Sequence, residues 1–283
     1  MPRIVYVNGV YLPQEEAKVS VFDRAFLFGD AVYEVTAVLD GRLVDFEAHL
    51  ARLDRSLGKI GLAPPIPHEG LREVHEELIA QNQIDEGIVY LQISRGSAER
   101  DFAYPDPQAP TIVAFTQSRP IVDNPLATTG VKVITIPDMR WRRRDIKSTS
   151  MLPQAMGKEA AKRQGAYEAW MVEDGFVTEG TSSSAFILDA KGVLRTQPLG
   201  HHILPGVTRR AILRLATSEG LALEERPFSV EEAYQAREAF MTAASAFVLP
   251  IVEIDGRAIG DGTPGPVARV FRAHYIAEAK ASQ

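Results

Sequence analysis

The period of apolar and polar positions changes repeatedly along this 283-residue chain, and each change marks the passage from a strand-like to a helix-like stretch. Residues 32–39 form a β-rich apolar run that resumes at 43–46 after Asp40 and Gly41. The pairs Asn8-Gly9, Asp174-Gly175 and Asp255-Gly256 interrupt similar runs, and such dipeptides supply the positive φ angles of two-residue hairpins. Helical spacing is clearest in 47–60, where Leu50, Leu53, Leu57 and Ile60 recur at intervals of three and four. Further helices are predicted over 68–81, 152–164, 207–219 and 264–280, with strands over 88–94, 111–115, 131–136, 168–172, 185–188 and 240–242. The pattern is α+β, and hairpins at both ends favour antiparallel sheets over a doubly wound parallel one.

Periodic apolar signal fades over 118–130, where Pro120, Asn124, Pro125 and a Thr128-Thr129-Gly130 sequence stand. This predicts an interdomain linker at 119–130, a small N-terminal α/β domain at 1–118 and a larger C-terminal domain at 131–283. Two domains of about 120 and 150 residues fall within ordinary sizes.

Composition narrows the chemistry. The chain is 45% apolar and 24% charged, as in folded globular proteins. A net charge of −6 provides no general basic field for nucleic acid or anionic lipid. The basic run Arg142-Arg143-Arg144 is short and abuts Asp145, which fits a solvated face or a local anion site. With no cysteine, disulfides, thiolate metal sites and cysteine nucleophiles are excluded. The N-terminal residues lack an apolar leader segment, and no stretch approaches the roughly 20 apolar residues that span a bilayer. A cytoplasmic enzyme without membrane or nucleic-acid partners is expected.

Three segments carry candidate chemistry. Arg144-Asp145-Ile146-Lys147 opens a polar stretch before the helix at 152–164. By itself, a lysine there reads as a solvated surface residue. Thr178-Glu179-Gly180 ends a strand and leads into Thr181, Ser182, Ser183 and Ser184. Leu204-Pro205-Gly206-Val207-Thr208-Arg209 starts a helix whose first N–H groups, at Val207 and Thr208, can face an anion. Singly, the last two read as a turn and a helix cap.

Together with Asp23-Arg24, the run from Phe28 to Val35, the run from His49 to Leu53, and Arg95-Gly96, these segments resemble the fold-type IV family of pyridoxal-phosphate enzymes, in matching order along nearly the whole chain. That resemblance implies a two-domain fold with a pseudo-barrel sheet in the pyridoxal 5'-phosphate-binding C-terminal domain, and a homodimer with the active site near its interface. It implies that Lys147 is the catalytic Schiff-base lysine and Glu179 the partner of the pyridine nitrogen. An amine held near positive charge loses its proton more readily and can serve as nucleophile, then as general base and acid. Arg144 is a candidate source of that charge. A carboxylate at the pyridine nitrogen favours the protonated ring, the stronger electron sink.

The same resemblance makes Arg52 a phosphate ligand on a helix whose other face is the leucine stripe, where a surface arginine is the alternative reading. Leu204, Gly206, Val207 and Thr208 complete the phosphate cup, and Ser182 and Ser183 join the cofactor-binding set. Ala244 stands where relatives commonly carry a phosphate-binding threonine, which leaves that contact to its backbone N–H with Ser245 beside it. No metal ligand set is expected, because none of the six histidines forms a His-Glu-x-x-His pair.

Within the family, Tyr33 and Val35 on one face of a strand resemble the substrate-pocket pattern of D-amino-acid transaminases, and the Phe-Glu-Gly version of branched-chain enzymes is absent. Well-known D-amino-acid transaminases place an arginine and a histidine two residues apart to hold the substrate carboxylate across the dimer interface. This chain has Arg100 and, for the histidine, Phe102. The guanidinium fork favours a carboxylate-bearing substrate. The resemblance therefore implies ping-pong transfer from a D-amino acid to a 2-oxo acid such as pyruvate or 2-oxoglutarate. An (R)-amine or branched-chain L-amino-acid transaminase is the alternative, followed by aminodeoxychorismate lyase. A hydrolase built on Ser56 and Lys59, which match a Ser-x-x-Lys spacing, lacks its companion motifs.

Overall fold

The computed structural model describes residues 2–281. Residues 1, 282 and 283, the outermost positions of the expected domains, lie outside the described residues. The chain forms two compact units. The first holds the residues up to Pro120 together with Ile146–Ser150, the second Ile121–Asp145 and Met151–Ala281.

In the first unit the strands are β1 (Ile4–Val7), β2 (Val10–Pro13), β3 (Ala31–Leu39), β4 (Arg42–Leu43), β5 (Gly87–Ser94) and β6 (Thr111–Ser118). Its helices are α1 (Arg24–Phe28), α2 (Phe46–Lys59) and α3 (His68–Asn82). The strands make one antiparallel sheet in the order β2-β1-β6-β5-β3-β4. Asn8, Asp40 and their following glycines all have positive φ, so these hairpins turn as the dipeptides require. Leucines of α2 and α3 cover one sheet face and close the core with Val32, Val89, Leu91 and Ile93.

The second unit contains α4 (Pro125–Thr129), β7 (Val131–Pro137), α5 (Leu152–Arg163), β8 (Glu168–Glu173), β9 (Phe176–Gly180), β10 (Ser184–Leu188) and β11 (Leu194–Thr196). It continues with α6 (Val207–Ser218), β12 (Leu223–Glu225), α7 (Val230–Tyr234), β13 (Glu238–Ala243), β14 (Phe247–Ile254), β15 (Arg257–Ala258) and α8 (Pro266–Ala281). Its larger sheet runs β12-β11-β10-β13-β14-β7-β8-β9, with β15 on β14, and curls into a half-barrel.

This sheet departs from the antiparallel expectation. β7 lies parallel to both β8 and β14, and β11 parallel to β12. The physical reason is connectivity: α5 joins β7 to β8 and α6 joins β11 to β12, and a helical crossover returns the chain in its original direction.

Two features redraw the division expected at 119–130. That stretch contains α4, capped where the Asn124 side chain accepts from Leu126 N–H. The Arg272 guanidinium also donates to the carbonyls of Ile121 and Val122, which ties the stretch to the second unit. Residues 146–150, placed by the sequence in the C-terminal part, instead complete the first unit. Ile146 is buried in its core, Tyr33 N–H donates to Lys147 C=O at 2.9 Å, and Thr149 N–H donates to Ala31 C=O at 3.0 Å.

Candidate active site

The first unit presents Lys147 on the edge of β3. Backbone pairing at Tyr33 and Ala31 fixes the segment, and Ser56 Oγ accepts from Lys147 N–H at 3.4 Å. The half-buried ammonium lies 4.2 Å from the centroid of the Tyr33 ring, so a cation–π contact holds it against the sheet. Tyr33 in turn stacks on Tyr90 at 5.6 Å. Tyr33 and Val35 are half-buried while Glu34 between them is buried, as strand alternation requires. The structure thus brings Lys147 and Tyr33 together.

Glu34 points into the core and meets α2. Its carboxylate accepts from Arg52 Nε at 2.8 Å and Arg52 Nη2 at 2.7 Å, and His49 Nδ1 lies 2.8 Å from Oε2. Burial works against the Glu34 charge, yet Arg52 and His49 hold its carboxyl far below the ordinary carboxylate range. His49 is lowered by burial, with Glu34 pulling the other way. Arg52 is itself buried, so it is not set on an exposed face away from the leucine stripe. Sequence reasoning missed Glu34 and His49. The available signal was an acid inside an apolar strand, together with a histidine and an arginine three positions apart on an apolar helix.

Arg100 and Phe102 lie on the loop between β5 and β6, and both are exposed. The Arg100 guanidinium lies 5.6 Å from the Phe102 ring centroid and 5.5 Å from that of Phe28.

In the second unit, Glu179 near the end of β9 is buried. It accepts from Arg140 and from Leu204 N–H, the latter at 3.1 Å to Oε1. Burial pushes its carboxyl up, with Arg140 and Leu204 only partly offsetting that. Arg140 also donates to Asp138, Nη2 to Oδ2 at 2.7 Å. Burial opposes its charge, but Glu179 and Asp138 together raise its pKa above the ordinary guanidinium value. Arg144 is committed to Glu173, at 2.8 Å, and to Asp138, at 3.3 Å. Arg140 and Asp138 were not legible as site residues, because nothing in the local sequence shows that β7 and β9 bring them to Glu179.

At the start of α6, Gly206 is the N-cap and no side chain caps the helix, so its first N–H groups remain available to an anion. The buried hydroxyl of Thr208 has no hydrogen-bond partner, nor has that of Thr242. Thr242 is paired with Ser184 across β13 and β10. A Cβ on Gly206 would come within 2.8 Å of Ser184 Oγ, so the helix start passes close against these strands. Uncapped amides and an unpartnered buried hydroxyl fit a phosphate group. Ala244 and Ser245 stand half-buried in the turn between β13 and β14. Ser182 and Ser183 donate to buried Glu168 at 3.0 and 3.2 Å, alongside Thr181. Glu168 is a further buried acid that the sequence reading missed.

The hydrolase alternative finds no support: Ser56 is buried while Lys59 is exposed. Among the described residues no group of His, Asp and Glu is arranged to hold a metal ion, and no helix is long and apolar enough to cross a membrane.

Residues 31–254 match the pattern of the family described as Amino-transferase class IV. The chain is 38% identical over 274 residues to a protein named D-alanine aminotransferase from Staphylococcus aureus (strain MSSA476), with 96% of each chain covered. It is also 38% identical over 267 residues to one of that name from Bacillus licheniformis, covering 94% of this chain and 93% of the other. Among solved structures, a branched-chain aminotransferase from the thermophilic archaeon Thermoproteus uzoniensis with norvaline superposes with a TM-score of 0.88 at 27% identity, covering 99% of this chain and 95% of that one.

Proposed function

Because the chain belongs to the class IV aminotransferase family, whose members work with pyridoxal phosphate, we propose that it transfers the amino group of a D-amino acid to a 2-oxo acid. The observation that carries the D-amino-acid reading is the 38% identity to D-alanine aminotransferases along 96% of both chains. The retained Arg100 supports it, since a guanidinium fork suits a carboxylate.

Each unit contributes its own tasks. Lys147 holds the cofactor through its amine and, once displaced by the incoming amino acid, carries the Cα proton. Tyr33 rests against the Lys147 ammonium at 4.2 Å and, with Val35, borders the substrate. Glu179 serves the pyridine nitrogen, with Arg140 fixing the direction of its carboxylate. Val207 and Thr208 donate to the phosphate, with Leu204, Gly206, Ala244 and Ser245 shaping the cup and Arg52 adding charge. Ser182 and Ser183 border the cofactor from the turn that Glu168 anchors. When bound, the cofactor supplies the electron sink for the charge left at Cα. The working form in this proposal is a cytoplasmic homodimer.

The test is direct. The purified yellow protein is mixed separately with D-alanine, L-leucine and (R)-1-phenylethylamine, and its absorbance is followed as the pyridoxal form converts to the pyridoxamine form. D-Alanine is expected to convert it; conversion by L-leucine alone would overturn the D-amino-acid reading. Borohydride reduction and peptide mapping are expected to place the cofactor adduct on Lys147. A second reading, (R)-amine transfer, is favoured by Phe102, which is 79% exposed and presents an apolar surface where relatives carry a histidine.

A further inference from the structure

The corner between α1 and the β5–β6 loop is built around one carboxylate shared by two buried arginines. Asp30 Oδ2 accepts from Arg24 Nε at 2.7 Å and Arg95 Nε at 2.9 Å, while Oδ1 accepts from Arg95 Nη2 at 3.1 Å. Arg95 is 0% and Arg24 3% exposed. Two guanidinium charges against one carboxylate leave an excess of positive charge and many N–H donors to satisfy, and buried donors require partners.

Arg95 Nη2 donates to Ile60 C=O at 2.7 Å and Nη1 to Gly61 C=O at 3.3 Å, between α2 and α3, whereas the partners of Arg24 are in the loop. Arg24 Nη1 donates to Asp101 C=O at 2.6 Å and to Ala103 C=O at 3.2 Å, and Nη2 donates to Phe102 C=O at 3.4 Å. The Arg95 guanidinium lies 3.5 Å from the Tyr104 ring centroid. Three consecutive carbonyls are thus held from inside, which fixes the backbone while the side chains of Arg100 and Phe102 remain outside. Their rings and charges then form an alternating stack: Phe28 lies 4.7 Å from the Arg24 guanidinium and 5.5 Å from that of Arg100, and Phe102 packs on Phe28 at 5.5 Å.

We propose that the Arg24–Asp30–Arg95 cluster positions Arg100 for the substrate carboxylate, and that Phe28 and Phe102 form the aromatic rest on which its guanidinium is held. This rests on the reading of Arg100 as the carboxylate ligand. Phe102 therefore supports the arginine that recognises the carboxylate, which gives a function to the residue standing in the histidine position. Arg24, Phe28 and Phe102 are positioning residues: they act on substrate through Arg100.

The test is a double-mutant cycle in the holoenzyme with D-alanine and 2-oxoglutarate. Arg24→Gln is expected to raise the KM for D-alanine about tenfold with kcat within about twofold, the signature of lost substrate binding. Cofactor affinity and its absorbance should be unchanged. Phe102→Leu, at an exposed site that folding tolerates, is expected to raise KM about threefold. Combining either with Arg100→Gln should give no further increase over Arg100→Gln alone, because residues acting through one group are non-additive. Additive effects, or a loss confined to cofactor affinity or melting temperature, would overturn the proposal. If Arg100→Gln itself leaves KM unchanged, the carboxylate reading fails first, and the cycle separates that outcome from failure of the cluster alone.

Discussion

Arg52 grips Glu34 through two near-parallel hydrogen bonds, Nε to Oε1 at 2.8 Å and Nη2 to Oε2 at 2.7 Å, inside the core of the first unit. The carboxylate comes from the core face of β3 and the guanidinium from α2, so this pair joins the helix to the strand that presents Tyr33. Removing one partner of a buried ion pair typically costs about 3–5 kcal/mol. Glu34→Ala is expected to lose stability on that scale, read by chemical denaturation, with Glu34→Gln losing less because it keeps one acceptor. Equal stability of Glu34→Ala and the parent protein would show that the pair contributes nothing net.

His75 supplies a pH dependence with a definite sign. Its ring is buried against Phe46 at 4.9 Å, Nδ1 lies 2.6 Å from Leu71 C=O, and burial pushes its pKa down from 6.5 to about 4. A depressed histidine is stabilising as the neutral form above pH 6.5, and that stabilisation is lost as pH falls from 6.5 towards 4. The loss amounts to roughly 3 kcal/mol by linkage. Denaturation curves across that window are expected to flatten in His75→Gln. Glu34, Asp30 and Asp138, all held below the ordinary carboxylate range, steepen the fall at still lower pH.

Thr208→Val is expected to act in opposite directions on the free protein and on its complex. A buried hydroxyl with no partner costs about 1–3 kcal/mol, so the valine variant should melt higher without cofactor. A hydroxyl donated to a phosphate is a charge-assisted bond, and losing it should weaken pyridoxal phosphate binding about tenfold. Melting curves with and without pyridoxal phosphate check both signs, and a valine variant that binds as tightly as the parent removes Thr208 from the phosphate cup.

Glu168 offers a fourth test. Its carboxylate accepts from Thr181, Ser182 and Ser183 in succession, and bonds to a charged group contribute about 1.5–3 kcal/mol each. Glu168→Ala is expected to loosen the turn after Glu179, seen as faster amide exchange at 181–183, and to destabilise the second unit. Unchanged exchange would show that the backbone alone sets the turn.

What the sequence made legible was local. Hairpin dipeptides with demanding φ angles, the leucine spacing of α2 and the Pro-Gly entry to α6 each carry their own physics, and each appears where expected. The family motifs identified Lys147, Glu179 and Arg52 as residues of interest. What stayed hidden were the groups that hold Arg52, Glu179 and the serines after it. Glu34, Arg140 and Glu168 are ordinary acids and bases until the sheets bring them to Arg52, Glu179 and the serines. The parallel pairs of the larger sheet were missed for the same reason, since a crossover is a property of the path and leaves no mark on a single strand.

The return of residues 146–150 to β3 also governs the order in which the molecule is made. The first half of β3 receives its second edge from Lys147 and Thr149, which are synthesised well after Pro120 has closed the rest of that unit. A nascent chain ended at Pro120 carries an open strand edge at 31–33, the kind of surface on which chains pair with one another. Lys147 therefore belongs to the last stitch of the smaller unit, and its backbone protects an edge that every earlier stage of synthesis leaves bare.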